Sequence, residues 1–307
     1  MRPLRGILFK LCSVLVFIVM QAMIKATTVH VPAGEAVFFR SAFAIPVIVA
    51  WLTVQGQLAT GFRAVNPLGH VWRGLMGTLA MGMGFAGLAY LPLPEVTAIG
   101  YASPLLVVIF AAMFLGEQVR AFRIGCVALG LTGVMIVLSP RLSIDPGTGL
   151  GQAESFGAMI VLFGALCSAL AQVFVRKLVQ TETTTSIVFY FSVTSTVLSL
   201  ITLPLGWVWP TPTEAAFLVG AGLLGGVGQI LLTSSYREAD ASLVAPFDYA
   251  SMLFALGIGY FIFAEVPSRT MLEGAALIIL AGILIIWRER KLGLEREKGR
   301  QAVTPQG

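Results

Sequence analysis

The chain alternates between long apolar runs and short polar breaks, and the runs are about as long as a bilayer is thick. A helix needs about 20 mostly apolar residues to cross a hydrocarbon core of about 30 Å. Ten runs fit, at roughly 7–26, 34–54, 69–90, 95–115, 122–139, 155–175, 185–207, 215–236, 242–264 and 271–287. The breaks hold turn formers: Val31-Pro32, Asn66-Pro67, Pro92 and Pro94, Pro210 and Pro212, and Pro267. A longer break, 140–154, falls midway and predicts a linker between halves. The pattern predicts an all-α membrane protein with ten transmembrane helices.

The halves repeat each other. "QAMIK…VFFRS" (21–41) aligns with "QVFVR…VFYFS" (172–192), so Gln21 meets Gln172 and Ser41 meets Ser192. "YASPLLVVIFAAMFLGE" (101–117) aligns with "YASMLFALGIGYFIFAE" (249–265), and Gly74 and Gly82 align with Gly220 and Gly228. Five runs per half is an odd number, so the second half enters the membrane with the opposite orientation. Inverted repeats of this kind characterise secondary transporters, whose substrate site lies near the midplane between the halves. The predicted organisation is repeat 1 at 7–139, a periplasmic linker at 140–154, repeat 2 at 155–287 and a basic cytoplasmic tail at 288–307. The N-terminal stretch imitates a secretory signal, but its counterpart at 155–175 makes it part of the fold.

Composition agrees. The sequence is 57% hydrophobic and 11% charged, against about 25% charged in soluble domains; its mean hydropathy is +0.89. With the N-terminus inside, all but four of the 20 Lys and Arg residues face the cytoplasm. Lys25, Arg141 and Arg269 fall outside, and Arg40 lies within a run. Both termini are therefore expected in the cytoplasm of a bacterial inner-membrane protein. Trp51, Trp72, Trp207, Trp209 and Trp287 all lie at run ends, as an interfacial belt requires. The net charge of +5 follows from this topology, with the tail facing anionic lipid, and no nucleic-acid partner is expected. Cys12, Cys126 and Cys167 lie in apolar runs without metal spacing and read as small core residues.

The segment "YASPLLVVIFAAMFLGEQVRAFRIGCVALGLTGVMIVL", with Pro104, "LGE" ending at Glu117, and Gly125, Gly130 and Gly133, resembles the C-terminal part of an EamA domain. That domain is the repeat unit of the drug/metabolite transporter superfamily. The second copy shows Glu265 with "AE", then Gly274 and Gly282, and the resemblance covers about 7–139 and 155–287. It implies a ten-helix carrier of small organic metabolites in either direction. "APFDYASMLFA…FAEVP", "WRER", "FKLCSVLVFIVMQAMIKA" and "GEAVFFRS" further resemble a subgroup of bacterial importers. Riboflavin uptake transporters come first among these, and S-adenosylmethionine importers second. Amino-acid or metabolite export by the same fold is the other transport alternative. Glu117 and Glu265 are family-motif positions, read as structural.

Within the runs, charge and side-chain-poor stretches mark candidate chemistry. An ionisable group inside a span costs roughly 2.5–3.5 kcal/mol on insertion scales and usually faces a cavity or a partner. Arg40, about 9 Å along its helix from Gly34, either binds substrate or pairs with Glu35 or a backbone carbonyl. Its repeat counterpart is Phe191. Asp248 is either a substrate or coupling acid or, with Pro246 at the first helical position, a helix-start carboxylate. Gln21, Gln172, Gln229, Tyr101 and Tyr249 can orient a ligand, and the two tyrosines, at equivalent repeat positions, suit a planar ring. Phe85 and Phe247 can stack likewise. Gly74, Gly77, Gly82 and Gly84, with Gly225, Gly226 and Gly228, either pack helices closely or, with Pro104 and Pro246, open a passage and permit bending. The expected site lies between the third, fourth, eighth and ninth runs.

His30 and His70 fall at loop edges and are expected on the solvated surface. The sequence holds no H-E-x-x-H, G-x-S-x-G or G-x-x-x-x-G-K-[ST] motif, so no enzyme activity, metal, cofactor or ATP drive is expected. A channel-like pore or an integral-membrane enzyme are the rival classes. The expected partners are a small-molecule substrate and membrane lipid, with the chain acting as a monomer or homodimer.

Overall fold

A computed structural model of the protein describes residues 3–56, 62, 64–115, 121–142, 152–178, 181–238 and 245–303. Among them regular structure is all helical. In chain order the α-helices are α1 (Pro3–Lys25), α2 (Ala33–Ala42), α3 (Ala44–Val54), α4 (Pro67–Tyr90), α5 (Leu93–Gly100), α6 (Ala102–Leu115), α7 (Ala121–Leu142), α8 (Gln152–Leu178), α9 (Thr184–Ser199), α10 (Pro212–Glu238), α11 (Ala250–Phe263) and α12 (Arg269–Val303). Short 3₁₀ segments, Leu200–Leu205 and Ala245–Tyr249, extend α9 and precede α11. Glu117 and most of the 140–154 linker lie outside the described residues.

Eight helical stretches among the described residues are long and apolar enough to cross a membrane. The two other expected spans differ. α4 has the length, 24 residues, but its glycines, His70 and Arg73 dilute its apolar character. Phe247–Phe263 is apolar but shorter. Both line the central cavity described below, where polar and small residues replace lipid-facing ones. α12 continues past the expected end at 287 into the basic tail.

Two runs that read as single helices are broken, and proline accounts for both breaks. Proline cannot donate to the carbonyl four residues earlier and its ring clashes with it. Pro46 thus disrupts the turn at Ala42, and the chain breaks at Phe43 between α2 and α3. Pro104 disrupts the turn at Gly100, and the chain breaks at Tyr101 between α5 and α6. In the second half the helix changes at the equivalent place, from the 3₁₀ segment to α11 at Tyr249-Ala250. Both "YA" pairs therefore mark irregular backbone in the middle of the molecule. Pro140, inside α7, frees the Ile136 carbonyl, which accepts instead from the Ser139 hydroxyl at 2.9 Å.

Helices pack across the halves. α1 runs along α10 and α4 along α8, two pairings that the repeat makes equivalent, while α7 packs along α12. At the last contact, a Cβ on Gly133 would stand 2.7 Å from the Gly274 carbonyl oxygen, and one on Gly274 would stand 2.6 Å from that of Gly133. The backbones approach too closely for any side chain. The buried core joins Ile24, Leu93, Ile99 and Leu105 of the first half to Leu218, Met252 and Ile278 of the second. Met113, Met159, Ile201, Leu253 and Phe261 are exposed on the outside, which suits a lipid-facing surface. Cys126 and Cys167 are buried, Cys12 is half-buried, and all three are free thiols.

Candidate functional site

A cavity of about 760 Å³ lies between the halves. All seven candidate ligand residues line it: Arg40, Asp248, Tyr101, Tyr249, Gln21, Gln172 and Gln229. Gly77, Gly84, Pro104 and Phe85 also line it. The walls extend beyond the four expected runs, because α1 and α8 contribute long faces through Phe17 and Gln21 and through Ser168 and Gln172. The remaining glycines face neighbouring helices. A Cβ on Gly74 would meet Thr194, on Gly225 Arg40 and Met20, on Gly226 Val47 and on Gly228 Phe17, all within 3.3 Å; on Gly82 it would reach only Val37, at 3.8 Å. Pro246 belongs to the 3₁₀ segment ahead of α11.

Tyr101 and Tyr249 meet across the repeat boundary, with ring centroids 5.2 Å apart and planes inclined by 56°. The Tyr101 hydroxyl donates to the Asp248 carbonyl at 3.2 Å and is hydrogen-bonded to the Ser251 hydroxyl. The break at Gly100–Tyr101 aims this phenol across the molecule. Gly282 on α12 makes room for the other one, since a Cβ there would stand 1.5 Å from the Tyr249 hydroxyl oxygen. Gln172 donates to the Ser103 hydroxyl at 2.9 Å.

Asp248 carries a contact that the sequence reading missed. Its Oδ1 lies 2.7 Å from the Lys10 ammonium. The Lys10 side chain is 1% exposed, whereas that of Asp248 is 49% exposed. α11 begins only at Ala250, and its N-terminus has no side-chain cap. Lys10 counted in the sequence merely as one of the inner-face basic residues. Its position inside the 7–26 run was the signal that could have found it.

Arg40 is 4% exposed, and its Nε and Nη1 are buried without a hydrogen-bond partner. Glu35, the partner suggested by the sequence, instead accepts the Val208 backbone N–H at 3.1 Å. The Arg40 guanidinium lies 5.7 Å from the centroid of the Phe191 ring, its own repeat counterpart. Arg73, also missed although it lies inside the 69–90 run, stacks on the same ring at 3.9 Å. Its Nε is likewise buried and unpartnered. A cation–π contact contributes about 0.5–2 kcal/mol, less than the roughly 2.5–3.5 kcal/mol that a mid-span arginine costs. Phe191 alone therefore does not offset two guanidiniums.

The two ends of the cavity differ. Beyond one end, Lys25 pairs with Glu265 Oε1 at 2.7 Å and donates to the Leu91 carbonyl at 2.8 Å, while Glu265 Oε2 accepts the Leu93 N–H at 2.9 Å. Glu265 thus ties α1 and the α4–α5 turn to the second half. Nearby, Arg141 grips Glu95 with two hydrogen bonds of 2.8 and 3.0 Å and also reaches Glu154. Ahead of α9, Glu182 accepts the backbone N–H groups of Val65 and Asn66 at 2.7 and 2.6 Å and the Ser186 hydroxyl at 3.2 Å. Burial works to raise its pKa, but the Asn66 and Val65 N–H groups and His70 outweigh it, and the net shift is downward.

His70 corrects one expectation. It is 3% exposed, 3.2 Å from Glu182, and packs on Tyr190. α4 begins two residues before the run pattern suggested, at Pro67 behind an Asn66 cap, which places His70 within its first turn, where Glu182 and Tyr190 enclose it. His30 is exposed and lies 3.1 Å from Glu214. Among the described residues no cluster of metal-ligating side chains occurs.

The comparisons with known proteins agree with this architecture. The model of the EamA-like transporter family matches the chain twice, over residues 4–139 and 155–287. A pseudopaline exporter of Pseudomonas aeruginosa is 30% identical over 91% of this chain and 95% of its own. An S-adenosylmethionine uptake transporter of Rickettsia bellii is 29% identical over 84% of each chain. A riboflavin transporter of Rhizobium johnstonii is 30% identical over 85% of this chain and 83% of its own. A solved crystal structure shares the fold with a TM-score of 0.66 at 21% identity, covering 94% of this chain and 98% of that one. The chain belongs to the EamA-like transporter family and is a multi-pass membrane transporter rather than an enzyme.

Proposed function

We propose that this EamA-family chain is a secondary transporter of the bacterial inner membrane that carries a small organic metabolite by alternating access. Its ten spans form two inverted repeats, 7–139 and 155–287, with both termini cytoplasmic, and a single chain encloses the whole pathway. The observation that carries this reading is the cavity between the halves, into which every candidate ligand residue projects. Its size, about 760 Å³, falls within the range of about 300–1,000 Å³ usual for small-molecule sites. The Lys25–Glu265 bond network at one end and the half-exposed Asp248 at the other support a conformation closed to the outside and open to the cytoplasm. Rocking of one repeat against the other would break the outer contacts and close the inner ones.

Riboflavin uptake is the finer reading, supported by the tyrosine pair, which suits a planar ring, and by two riboflavin-transporting relatives. A second reading, S-adenosylmethionine uptake, is favoured by Arg40 and Arg73, because that solute adds a carboxylate to its ring and riboflavin does not. Purified protein in liposomes decides between the classes through counterflow of radiolabelled solute. A carrier shows a transient overshoot that saturates with concentration. Linear, non-saturating flux would identify a pore, and no flux with either solute or with amino acids would sink the transport reading.

A further inference from the structure

We infer that Arg40 and Arg73 form an oxyanion subsite in the cavity, so that the solute carries a carboxylate or phosphate group as well as a ring. The inference rests on the cavity being the transport site, and it sides with the second reading above, a solute with an anionic group, against riboflavin itself. Four charged groups among the described residues line it: Lys10, Arg40, Arg73 and Asp248. Asp248 is committed to Lys10 at 2.7 Å. That leaves two guanidiniums in contact with the Phe191 ring, at 5.7 and 3.9 Å from its centroid, with no second acid among the described residues that line the cavity. Arg40 is 4% exposed, and the unpartnered nitrogens of both residues are buried.

Two like charges in a low-dielectric wall repel each other and lack the donors and acceptors that water would supply. A purely structural arginine would have found a carbonyl or a carboxylate. Glu35, one turn away, is taken by the Val208 N–H. An incoming oxyanion satisfies both requirements, because guanidinium forks match carboxylate and phosphate oxygens in a planar, two-bond geometry. The tyrosine pair lines the same cavity, so one site offers aromatic faces as well as guanidinium groups. A stacking aromatic beneath the arginines holds them in place without competing for their N–H groups.

The test uses two pairs of probes that differ in one anionic group: S-adenosylmethionine with its decarboxylated derivative, and riboflavin 5′-phosphate with riboflavin. Binding is read from thermal stabilisation of the detergent-purified full chain, and exchange from counterflow in liposomes. The expected result is that at least one anionic member binds ten-fold or more tightly than its partner. Arg73→Gln should reduce that preference to less than about two-fold, and Arg73→Lys should retain part of it. Arg40→Gln should act in the same direction; if that buried substitution fails to fold, Arg73→Gln and the wild-type preference still decide. The S-adenosylmethionine pair reports on a carboxylate and the flavin pair on a phosphate. Equal binding within both pairs, or an anionic preference unchanged in Arg73→Gln, overturns the subsite. Anionic preference in binding without any counterflow would keep the subsite and overturn the transport reading instead.

Discussion

The Lys10–Asp248 pair offers a quantitative test of how the end of the cavity opposite Lys25–Glu265 is held. At a separation of 2.7 Å the gross attraction is about 1.5 kcal/mol with water's dielectric constant and about 6 kcal/mol at an effective value of about 20. Asp248 is half exposed, which moves the pair toward the lower figure, and dehydrating the Lys10 ammonium opposes the gain further. The expected coupling is about 2 kcal/mol, roughly thirty-fold in an equilibrium constant. The assay is a double-mutant cycle of Lys10→Gln and Asp248→Asn, read as unfolding free energy in detergent. Each single change should destabilise the protein, and the double variant should lose less than the sum. A charge exchange, Lys10→Asp with Asp248→Lys, should recover part of the loss. If Asp248 acts only as a helix-start carboxylate, its substitution costs the same with or without Lys10. A coupling below about 0.5 kcal/mol, the usual error of additivity, would refute the ion-pair account.

Three further outcomes follow from the geometry. Glu265→Gln removes the charge that holds Lys25, so the outer closure should loosen; a cysteine at Gly84, in a background without the three native thiols, should then label several-fold faster with a membrane-impermeant maleimide added outside, and an unchanged rate would disprove the closure. Gly282→Ala places a methyl group 1.5 Å from the Tyr249 hydroxyl oxygen; uptake should fall at least five-fold at normal expression, and full activity would show that the tyrosine position is not required. The depressed Glu182 pKa links stability to pH. Its contribution is complete above the ordinary carboxyl value of 4.5 and is lost as pH falls through the lower folded-state value. The wild type should therefore lose thermal stability below about pH 4 more steeply than Glu182→Gln; parallel curves would rule the linkage out.

Much of the architecture was legible in the chain itself. Run length sets helix length because the bilayer is a solvent of fixed thickness, and a helix satisfies its own backbone within it. The repeat was legible because equivalent residues recur in the same order, and the pairings of α1 with α10 and α4 with α8 follow that equivalence. The proline-induced breaks at Phe43 and Tyr101 were present as Pro46 and Pro104, since the backbone consequence of proline is local. The seven candidate ligand residues stood out because polar groups inside apolar runs need a cavity or a partner.

What the sequence left undetermined were the partners, because a partner depends on which faces of distant helices meet. Lys10 reads as an inner-face cation until α1 is set beside the Ala245–Tyr249 turn, where it meets Asp248, 238 positions later in the chain. Arg73 reads as a topological charge until α4 and α9 bring it onto Phe191, and Phe191 is only a repeat counterpart of Arg40 until the halves close and place the ring beneath it. His70 reads as a surface residue until Glu182 and Tyr190 enclose it. The sequence by itself determined which segments are helical and which polar groups need an explanation, because helix formation and proline breaks are local. Tertiary packing alone decided that Asp248 is neutralised and that Arg40 and Arg73 are not, because charge balance inside a cavity is set by side chains that come from every part of the chain.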